Sequence, residues 1–344
     1  MNKPKLYFFV GLSGSGKSTI AKILKRTVSN NIEIYSSDAI RKELYGDENI
    51  QDNPQKVFRI LHKRIKTQLK EGKSAIYDAT NLNMKRRMSF LEEIKNIDCE
   101  KICVIVNTPF EVCVSQNNKR ERVVPYSVLK RQRESFQCPY YYEGWDNICI
   151  TNIDEDLSSL EDILEASRLI SHDNPHHTLS IGKHMDKAFE YCSHRAAALS
   201  IMANDRNIDE MKKEEYFKEA EQWSEIALAA KFHDIGKIYT KSFLNSKGEL
   251  CKIAHYYQHQ NVSAYTILSH LSYSSNINYI SCCSEEVELE KENIAFWLKI
   301  VVLVQWHMEH YFRKDKAWDK FESLVGKELV ELLDKLHEAD KAAH

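Results

Sequence analysis

A glycine-rich run lies near the start of the chain, directly after a short apolar segment at residues 6–10. It reads Gly-Leu-Ser-Gly-Ser-Gly-Lys-Ser over residues 11–18, which is the spacing of a phosphate-binding loop between a strand and a helix. Glycines let backbone N–H groups turn toward a β-phosphate, Lys17 suits the β/γ charge, and Ser18 suits Mg²⁺. The run predicts ATP and Mg²⁺ binding by Gly11, Ser13, Gly14, Ser15, Gly16, Lys17, Ser18 and Thr19.

An acid and an arginine follow the next apolar segment, residues 32–35. Phosphoryl transfer needs a group that orients the attacking hydroxyl and a basic cover over the transferring phosphate. Asp38 can accept the hydroxyl proton, and Arg41, three residues later, can grip a neighbouring phosphate. The alternative is that Asp38 caps the N-terminus of the following helix. The basic residues at 119–133 are candidates for the cover, with a solvated basic helix face as the alternative.

A second set of chemistry-bearing residues lies in the C-terminal half. His233 and Asp234 are adjacent, Gly236 and Lys237 follow them, and His184 and Asp340 lie to either side along the chain. A hydrolytic metal site takes neutral imidazoles and carboxylates from several helices and keeps positions open for water and phosphate. We therefore expect His184, His233, Asp234 and Asp340 to bind metal. No His-Glu-x-x-His run is present, which excludes that class of metalloprotease.

Length and composition set the frame for these two sites. The chain has 344 residues, 43% of them hydrophobic, which is long enough for two domains with separate cores. A net charge of −2 means that any nucleic-acid contact must come from local basic clusters. Nine cysteines without a Cys-x-x-Cys pair predict reduced thiols and a cytoplasmic protein. No run of roughly 18 apolar residues is present to span a membrane.

The composition changes near residue 170. All six prolines lie at or before Pro175, and thirteen of the fourteen histidines follow residue 170. Before this point, apolar runs alternate with helical patterns such as 54–70 and 83–96, which predicts an α/β domain with a parallel sheet flanked by helices at 1–158. A linker or helix is expected at 159–175. Proline-free amphipathic patterns, including 178–204, 211–235 and 255–271, predict an all-α domain at 176–344.

The N-terminal half resembles the 5′-hydroxyl polynucleotide kinases of the phage end-healing type, a branch of the P-loop kinases. The resemblance rests on the loop and on residues 37–41, 77–83 and 119–125. It implies that Asp38 is the general base, that Arg41 holds the acceptor's 3′-side phosphate, and that Asp78 supports the acceptor site. A lid arginine would clamp ATP; spacing does not choose between Arg120 and Arg122, and we favour Arg120. Some small-molecule kinases share these elements.

The C-terminal half resembles the HD-domain phosphohydrolases over residues 175–344, including the run at 174–179 before His184. The resemblance implies a second metal at His259 and His307, bridged by Asp234; the alternative is that these are hydrogen-bonded helix histidines. His255, predicted four residues before His259 on the same helical face, could reach metal or phosphate. Lys237 would stabilise charge on the phosphate. One or two divalent ions, Mn, Ni, Co, Fe or Zn, would lower the pKa of a bound water.

Both halves together predict a bifunctional enzyme that heals RNA ends. The kinase half, with Lys17, Asp38 and Arg120 in catalytic roles, would phosphorylate 5′-hydroxyls of RNA or DNA. The other half, through Asp234 and Lys237, would remove 3′-phosphates or open and remove 2′,3′-cyclic phosphates, so that a separate ligase can act downstream. The rival hypothesis is a nucleoside or cofactor kinase fused to an HD nucleotidase. A third is an ATP-sensing regulator, which a base beside the acceptor site disfavours.

Overall fold

The computed structural model describes residues 3–28, 31–151, 159–175, 178–271 and 286–344. The chain forms two compact units, residues 1–156 with 271–295, and residues 157–270 with 296–344. Part of the proposed linker, residues 152–158, lies outside the described residues, as do the two histidines at 176–177 in the run before His184.

The first unit is built on a five-stranded parallel sheet. Its strands are β1 (Lys5–Val10), β2 (Ile32–Ser36), β3 (Ser74–Asp78), β4 (Glu100–Val106) and β5 (Asn147–Thr151), in the spatial order β2-β3-β1-β4-β5. Residues 6–10 of the central strand are fully buried, because a parallel sheet is covered by helices on both faces. The predicted α/β class of the N-terminal half is confirmed.

Helices connect these strands and place polar residues at one edge of the sheet. They are α1 (Lys17–Val28), α2 (Ser37–Tyr45), α3 (Pro54–Lys70), α4 (Met84–Glu93), α5 (Phe110–Asn118) and α6 (Tyr126–Glu134), with a 3₁₀ turn at Tyr141–Glu143. Helix α3 matches the predicted 54–70, because Asn53 caps it and Pro54 occupies its first turn. Since all strands are parallel, their carboxyl ends meet at one edge, where ligands of such sheets bind.

A buried ion pair holds one side of the first unit together. Arg87 of α4 and Glu143 of the 3₁₀ turn are both fully buried, and the guanidinium donates to the carboxylate at 2.5 and 2.7 Å. Trp145 donates its indole N–H to Glu143 at 3.1 Å and packs its ring on Phe8 of β1. The charges are thus compensated, and the tyrosine-rich segment around Glu143 is anchored to the sheet core.

The second unit is mainly helical. It contains α7 (Leu160–Ser167), α8 (Ile181–Ala203), α9 (Glu210–Phe232), α10 (Lys237–Thr240), α11 (His259–His270), α12 (Glu286–Trp306, in this unit from residue 296), α13 (Glu309–Phe312), α14 (Lys316–Val325) and α15 (Lys327–Ala342). Helix α7 lies in this unit, within the segment 159–175 for which a linker or helix was predicted. Among the described residues, no helix is both long and apolar enough to cross a membrane.

The prediction that the second unit is all α is wrong. Strands β6 (Ser242–Leu244) and β7 (Leu250–His255) form an antiparallel ribbon around a turn in which Gly248 has a φ of +81°. Gln258, at a φ of +60°, separates the ribbon from helix α11, so the predicted helix at 255–271 begins only at His259. A left-handed residue interrupts the helical hydrogen-bonding pattern, and the ribbon ends four residues before the helix starts.

Candidate active sites

The loop after β1 has the backbone shape that phosphate binding requires. Gly14 and Gly16 adopt φ values of +82° and +91°, which favour glycine. A Cβ atom at Gly11 would lie 2.4 Å from the carbonyl oxygen of Val106, so only glycine fits there. Thr108 donates its hydroxyl to the carbonyl of Ser15 at 2.8 Å and ties the loop to the end of β4. The loop therefore packs closely against the end of strand β4 and is hydrogen-bonded to the residues that follow it.

Lys17 and Ser18 begin helix α1 directly behind this loop. The Lys17 ammonium donates to the Leu12 carbonyl at 2.6 Å, and burial lowers its pKa, although the charge of Asp78 opposes the shift. The Ser18 hydroxyl donates to Asp78 Oδ2 at 2.7 Å. Asp78 ends β3, so the fold brings a carboxylate and a hydroxyl together from distant parts of the sequence. These two oxygens fit a Mg²⁺ ion, which prefers carboxylate and hydroxyl ligands.

Asp38 lies in the first turn of α2 and faces two arginines. Arg41 Nη1 is 3.0 Å from Asp38 Oδ1, and Arg122 Nη1 is 3.0 Å from Asp38 Oδ2. Arg122 also lies 3.8 Å from Glu48. The alternative that Asp38 caps the helix is wrong, because Ser36 is the capping residue and accepts from the Asp38 backbone N–H at 3.2 Å. The Asp38 side chain is therefore left for the cavity.

The predicted lid segment contacts the phosphate loop. Gln132 of α6 accepts from the backbone N–H of Ser13 at 2.9 Å and donates to its hydroxyl at 3.0 Å. The charge of Arg120 lowers the pKa of Lys17 further. Arg122 contacts Asp38 instead. Which of the two lid arginines clamps ATP stays a prediction.

The kinase-type residues share one cavity of about 660 Å³. Its basic lining residues are Lys17, Arg41, Arg120, Arg122 and Arg131. Two acids, Asp38 and Asp78, also line it, so cations are in excess. A concave site with excess positive charge attracts polyanionic ligands, such as nucleoside triphosphates and phosphodiesters.

The second unit brings the predicted metal ligands to one place. Two groups of side chains have ligand atoms close enough for an ion, and Asp234 belongs to both. One group adds His184 of α8 and His233, which follows α9; the other adds His259 of α11 and His307, which follows α12. All five side chains are buried. Asp340 of α15 joins the first group, with Oδ1 at 2.9 Å from His184 Nε2.

Hydrogen bonds fix which nitrogen each imidazole presents. The Nδ1 atoms of His233, His259 and His307 lie 2.6–2.8 Å from backbone carbonyls, which can only accept, so each Nδ1 carries the proton. Their Nε2 atoms therefore present lone pairs. The Nε2–Nε2 distance is 3.3 Å in the His184–His233 pair and 3.3 Å in the His259–His307 pair. In the His259–His307 pair the two lone pairs face and repel each other, and a cation bound by both removes the repulsion. In the other pair, His184 Nε2 lies 2.9 Å from Asp340 Oδ1, which only accepts, so it carries a proton that a metal ion would displace.

The carboxylate of Asp234 lies between the two histidine pairs. Its Oδ1 atom is buried without a hydrogen-bond partner and lies 3.2 Å from His259 Nε2; its Oδ2 atom lies 3.4 Å from His233 Nε2. Burial disfavours charge on His233, yet Asp234 and Asp340 raise its pKa, so a proton occupies its Nε2 atom until a metal ion displaces it. The cluster thus attracts positive charge strongly. An orphaned oxygen and converging Nε2 atoms are a donor set that fits one ion on each side of Asp234.

The structure does not place His255 where the sequence suggested. His255 ends β7, its ring stacks on Tyr257 at 5.5 Å, and neither ligand group includes it. The prediction that His255 shares a helical face with His259 is therefore wrong, because strand and turn precede the helix. Lys237 does reach the site, since its ammonium lies 2.6 Å from Asp234 Oδ2.

Two residues that contact the candidate metal site, without belonging to either ligand group, were missed from the sequence. His172 is buried with Nε2 3.5 Å from the Lys237 ammonium, and the Tyr311 hydroxyl donates to Asp340 Oδ2 at 3.1 Å. No periodicity marks His172, which lies in the segment expected to be a linker. Tyr311 follows His307 by four residues, a spacing that could have suggested it.

Residues 6–139 match the model of a protein family described as an AAA domain, AAA_33. This segment lies within the first compact unit, which is an α/β unit of the P-loop kinase-like type. L-seryl-tRNA(Sec) kinase of Methanococcus maripaludis is 29% identical over 150 residues, which cover 41% of this chain and 56% of the relative. The chain thus spans little more than half of that relative's length. The family match ends at residue 139, so the HD identity of the second unit stays a prediction.

Solved structures with a similar chain include kinases of several kinds. A chain of the Pnkp1/Rnl/Hen1 complex is 25% identical, with a TM-score of 0.32, covering 37% of this chain and 43% of its own. The APS kinase CysC of Mycobacterium tuberculosis is 18% identical, with a TM-score of 0.34; the match covers 45% of this chain and 92% of CysC. A gluconokinase from Sinorhizobium meliloti is 17% identical, with a TM-score of 0.34; the match covers 45% of this chain and 86% of the gluconokinase. TM-scores this low say nothing further about function.

Proposed function

We propose that the protein is a bifunctional enzyme that heals RNA ends. The first unit transfers the γ-phosphate of ATP to a 5′-hydroxyl, and the second removes a 3′-phosphate or opens and removes a 2′,3′-cyclic phosphate. The products are 5′-phosphate and 3′-hydroxyl ends, which a separate ligase can join. The observation that carries the proposal is an arginine-rich cavity around Asp38 in the same chain as a buried carboxylate, Asp234, shared by two histidine pairs.

In the kinase step, Asp38 takes the proton of the attacking hydroxyl. As the new O–P bond forms, the bond between the γ-phosphorus and the β–γ bridging oxygen breaks, and ADP leaves. Arg41 and Arg122, each 3.0 Å from the Asp38 carboxylate, orient this base. Lys17 and Arg120 neutralise charge on the phosphates. Mg²⁺ held by Ser18 and Asp78 supplies further neutralisation of the triphosphate.

In the hydrolytic step, the chain's residues bind the phosphate and hold the ion ligands in place. His184, His233, Asp234 and Asp340 fit one divalent ion, and a second fits the set of Asp234 with His259 and His307. Such ions, Mn, Ni, Co, Fe or Zn, supply an activated water at neutral pH. Lys237 donates an N–H to a phosphate oxygen and stabilises the charge that builds there. Water forms a bond to phosphorus as the bond to the 3′-oxygen breaks, inorganic phosphate is released, and the 3′-oxygen takes a proton from solvent. Opening a 2′,3′-cyclic phosphate breaks one of its two ester bonds in the same way.

RNA is the acceptor class that we propose for the kinase. The name of the curated relative, L-seryl-tRNA(Sec) kinase, describes a hydroxyl acceptor carried on an RNA. Arg41, Arg122 and Arg131 line the cavity in addition to the residues that suit ATP. A protein with a net charge of −2 binds a polynucleotide through such a local cluster. The same net charge favours the alternative, a nucleoside or cofactor kinase fused to an HD nucleotidase.

An acceptor competition tests the kinase assignment. The purified full chain is incubated with Mg²⁺ and γ-labelled ATP, and with equal concentrations of a 5′-hydroxyl RNA, a DNA of the same sequence, a mononucleoside and seryl-tRNA. We expect label on the 5′ end of the RNA. Label on the mononucleoside alone would refute end healing. Label on the seryl group alone would also refute it and would identify an aminoacyl-RNA as the acceptor. A Lys17→Met variant controls for contaminating kinases.

A second assay tests the hydrolase assignment. The same preparation, loaded in turn with each candidate metal, is given RNA ending in a 3′-phosphate or in a 2′,3′-cyclic phosphate. We expect inorganic phosphate from at least one of these RNAs. Release from free nucleotides but from neither RNA would support the alternative, the HD nucleotidase.

A further inference from the structure

His172 is a buried histidine outside both sets of metal ligands. Its ring is 1% exposed, and its Nδ1 atom lies 2.8 Å from the carbonyl oxygen of Leu179. Because a carbonyl only accepts, Nδ1 carries the proton and donates, which leaves Nε2 of the neutral ring as an acceptor. The backbone carbonyl of His172 in turn accepts from the hydroxyl of Tyr256. One contact therefore orients the imidazole, and the other holds the backbone from which it extends.

The Nε2 atom of His172 faces the ammonium group of Lys237 at 3.5 Å. The same ammonium lies 2.6 Å from Asp234 Oδ2 and 5.4 Å from the centre of the Tyr256 ring. An ammonium has three N–H donors. Asp234 and His172 receive two of them, and the third can point to a phosphate oxygen. Lys237 thus lies between Asp234, the carboxylate proposed to bind both metal ions, and His172, a neutral acceptor that binds neither ion.

We propose that His172 is a positioning residue that holds the Lys237 ammonium toward the phosphate of the substrate; this inference rests on the proposed phosphohydrolase function. If the Nε2 acceptor is removed, Asp234 alone orients the ammonium, and the N–H that serves the phosphate is no longer held in one direction. His172 therefore fixes the direction of the N–H that Lys237 offers to the phosphate, while Asp234 holds the same ammonium beside the metal ligands.

Binding of inorganic phosphate to the metal-loaded full chain, measured by titration calorimetry, tests this role without turnover. His172→Asn keeps a donor for the Leu179 carbonyl but removes the Nε2 acceptor, whereas His172→Gln returns an acceptor oxygen near the Nε2 position. We expect His172→Asn to weaken phosphate binding about tenfold, the size of one charged hydrogen bond. KM for a 3′-phosphate RNA rises similarly, with metal content unchanged, and His172→Gln recovers most of the loss.

The matched control is His270→Asn. His270 also donates Nδ1 to a backbone carbonyl, that of Thr266 at 2.8 Å, but lies outside both ligand groups, so this variant should bind phosphate normally. If His172→Asn binds phosphate as the wild type does while Lys237→Met binds it weakly, the role of His172 is overturned. If Lys237→Met also binds it normally, the proposed phosphohydrolase site itself fails.

A folding defect in His172→Asn is recognised by circular dichroism, and a second variant then carries the test. Tyr256→Phe keeps the aromatic ring near Lys237 but releases the carbonyl of His172. We expect phosphate affinity to fall severalfold with a normal spectrum and normal metal content. An unchanged affinity in a folded Tyr256→Phe protein would contradict the proposal, because the orientation of His172 would then not matter to Lys237.

Discussion

Replacing Asp38 by asparagine should abolish the kinase step while ATP binding persists. The carboxylate accepts from two guanidinium groups, with Arg41 and Arg122 each at 3.0 Å. An asparagine has one carbonyl oxygen, so it can face only one arginine, and its NH₂ group must face the other. It is also no base. The contacts that suit ATP, through Lys17 and the loop, do not involve Asp38.

The size of the effect follows from the loss of the base. General-base catalysis is worth about 10²- to 10⁴-fold, so we expect kcat of Asp38→Asn to fall by at least about 100-fold, or roughly 3 kcal/mol of barrier. The assay is single-turnover transfer from γ-labelled ATP to a 5′-hydroxyl RNA. ATP affinity, measured by calorimetry, should change less than about threefold, because one distant contact is worth under 1 kcal/mol.

Two controls show whether the effect of Asp38→Asn is specific to the kinase step. Asp98→Asn removes an exposed carboxylate of the same unit that pairs with Lys3, and it should change neither quantity. Release of 3′-phosphate by Asp38→Asn should equal that of the wild type, because Asp38 lies in the other compact unit from the metal ligands. Transfer within threefold of the wild-type rate would refute Asp38 as the base. An equal loss of ATP affinity would instead show that Asp38 acts in ATP binding.

Further variants test other parts of the two sites. Asp234→Asn should lower bound metal from two ions to one or none by elemental analysis and abolish phosphate release, yet leave the kinase intact; two retained ions would contradict a shared carboxylate. In steady-state assays, Arg120→Ala should raise KM for ATP about tenfold, whereas Arg122→Ala should raise KM for the acceptor. The reverse pattern would exchange the roles of the two arginines. Arg87→Met leaves the buried carboxylate of Glu143 without its ion-pair partner and should lower the free energy of unfolding by about 3–5 kcal/mol in urea titrations. A loss under about 1 kcal/mol would contradict the pairing.

Local features of both sites could be read from the chain. The glycines at 14 and 16 need positive φ values that few other residues tolerate, so the loop motif carries its own geometry. Helix α3 could be bounded because Asn53 and Pro54 are local start signals. The ribbon at 242–255 was missed, although Gly248 and the residues before it form a turn signal, because its short strands lie between two predicted helices and only residue 255 was included in a helix.

The sequence by itself determined which residues have the chemistry: the phosphate loop, Asp38, and the histidines and aspartates with the residue order of a metal site. Only the tertiary structure decided their partners. It paired Ser18 with Asp78 and Arg122 with Asp38, divided the histidines into two pairs around Asp234, and brought His172 to Lys237. The physical reason is range: loop shape and helix caps depend on neighbouring residues, whereas these contacts join strands and helices through packing that no local pattern records.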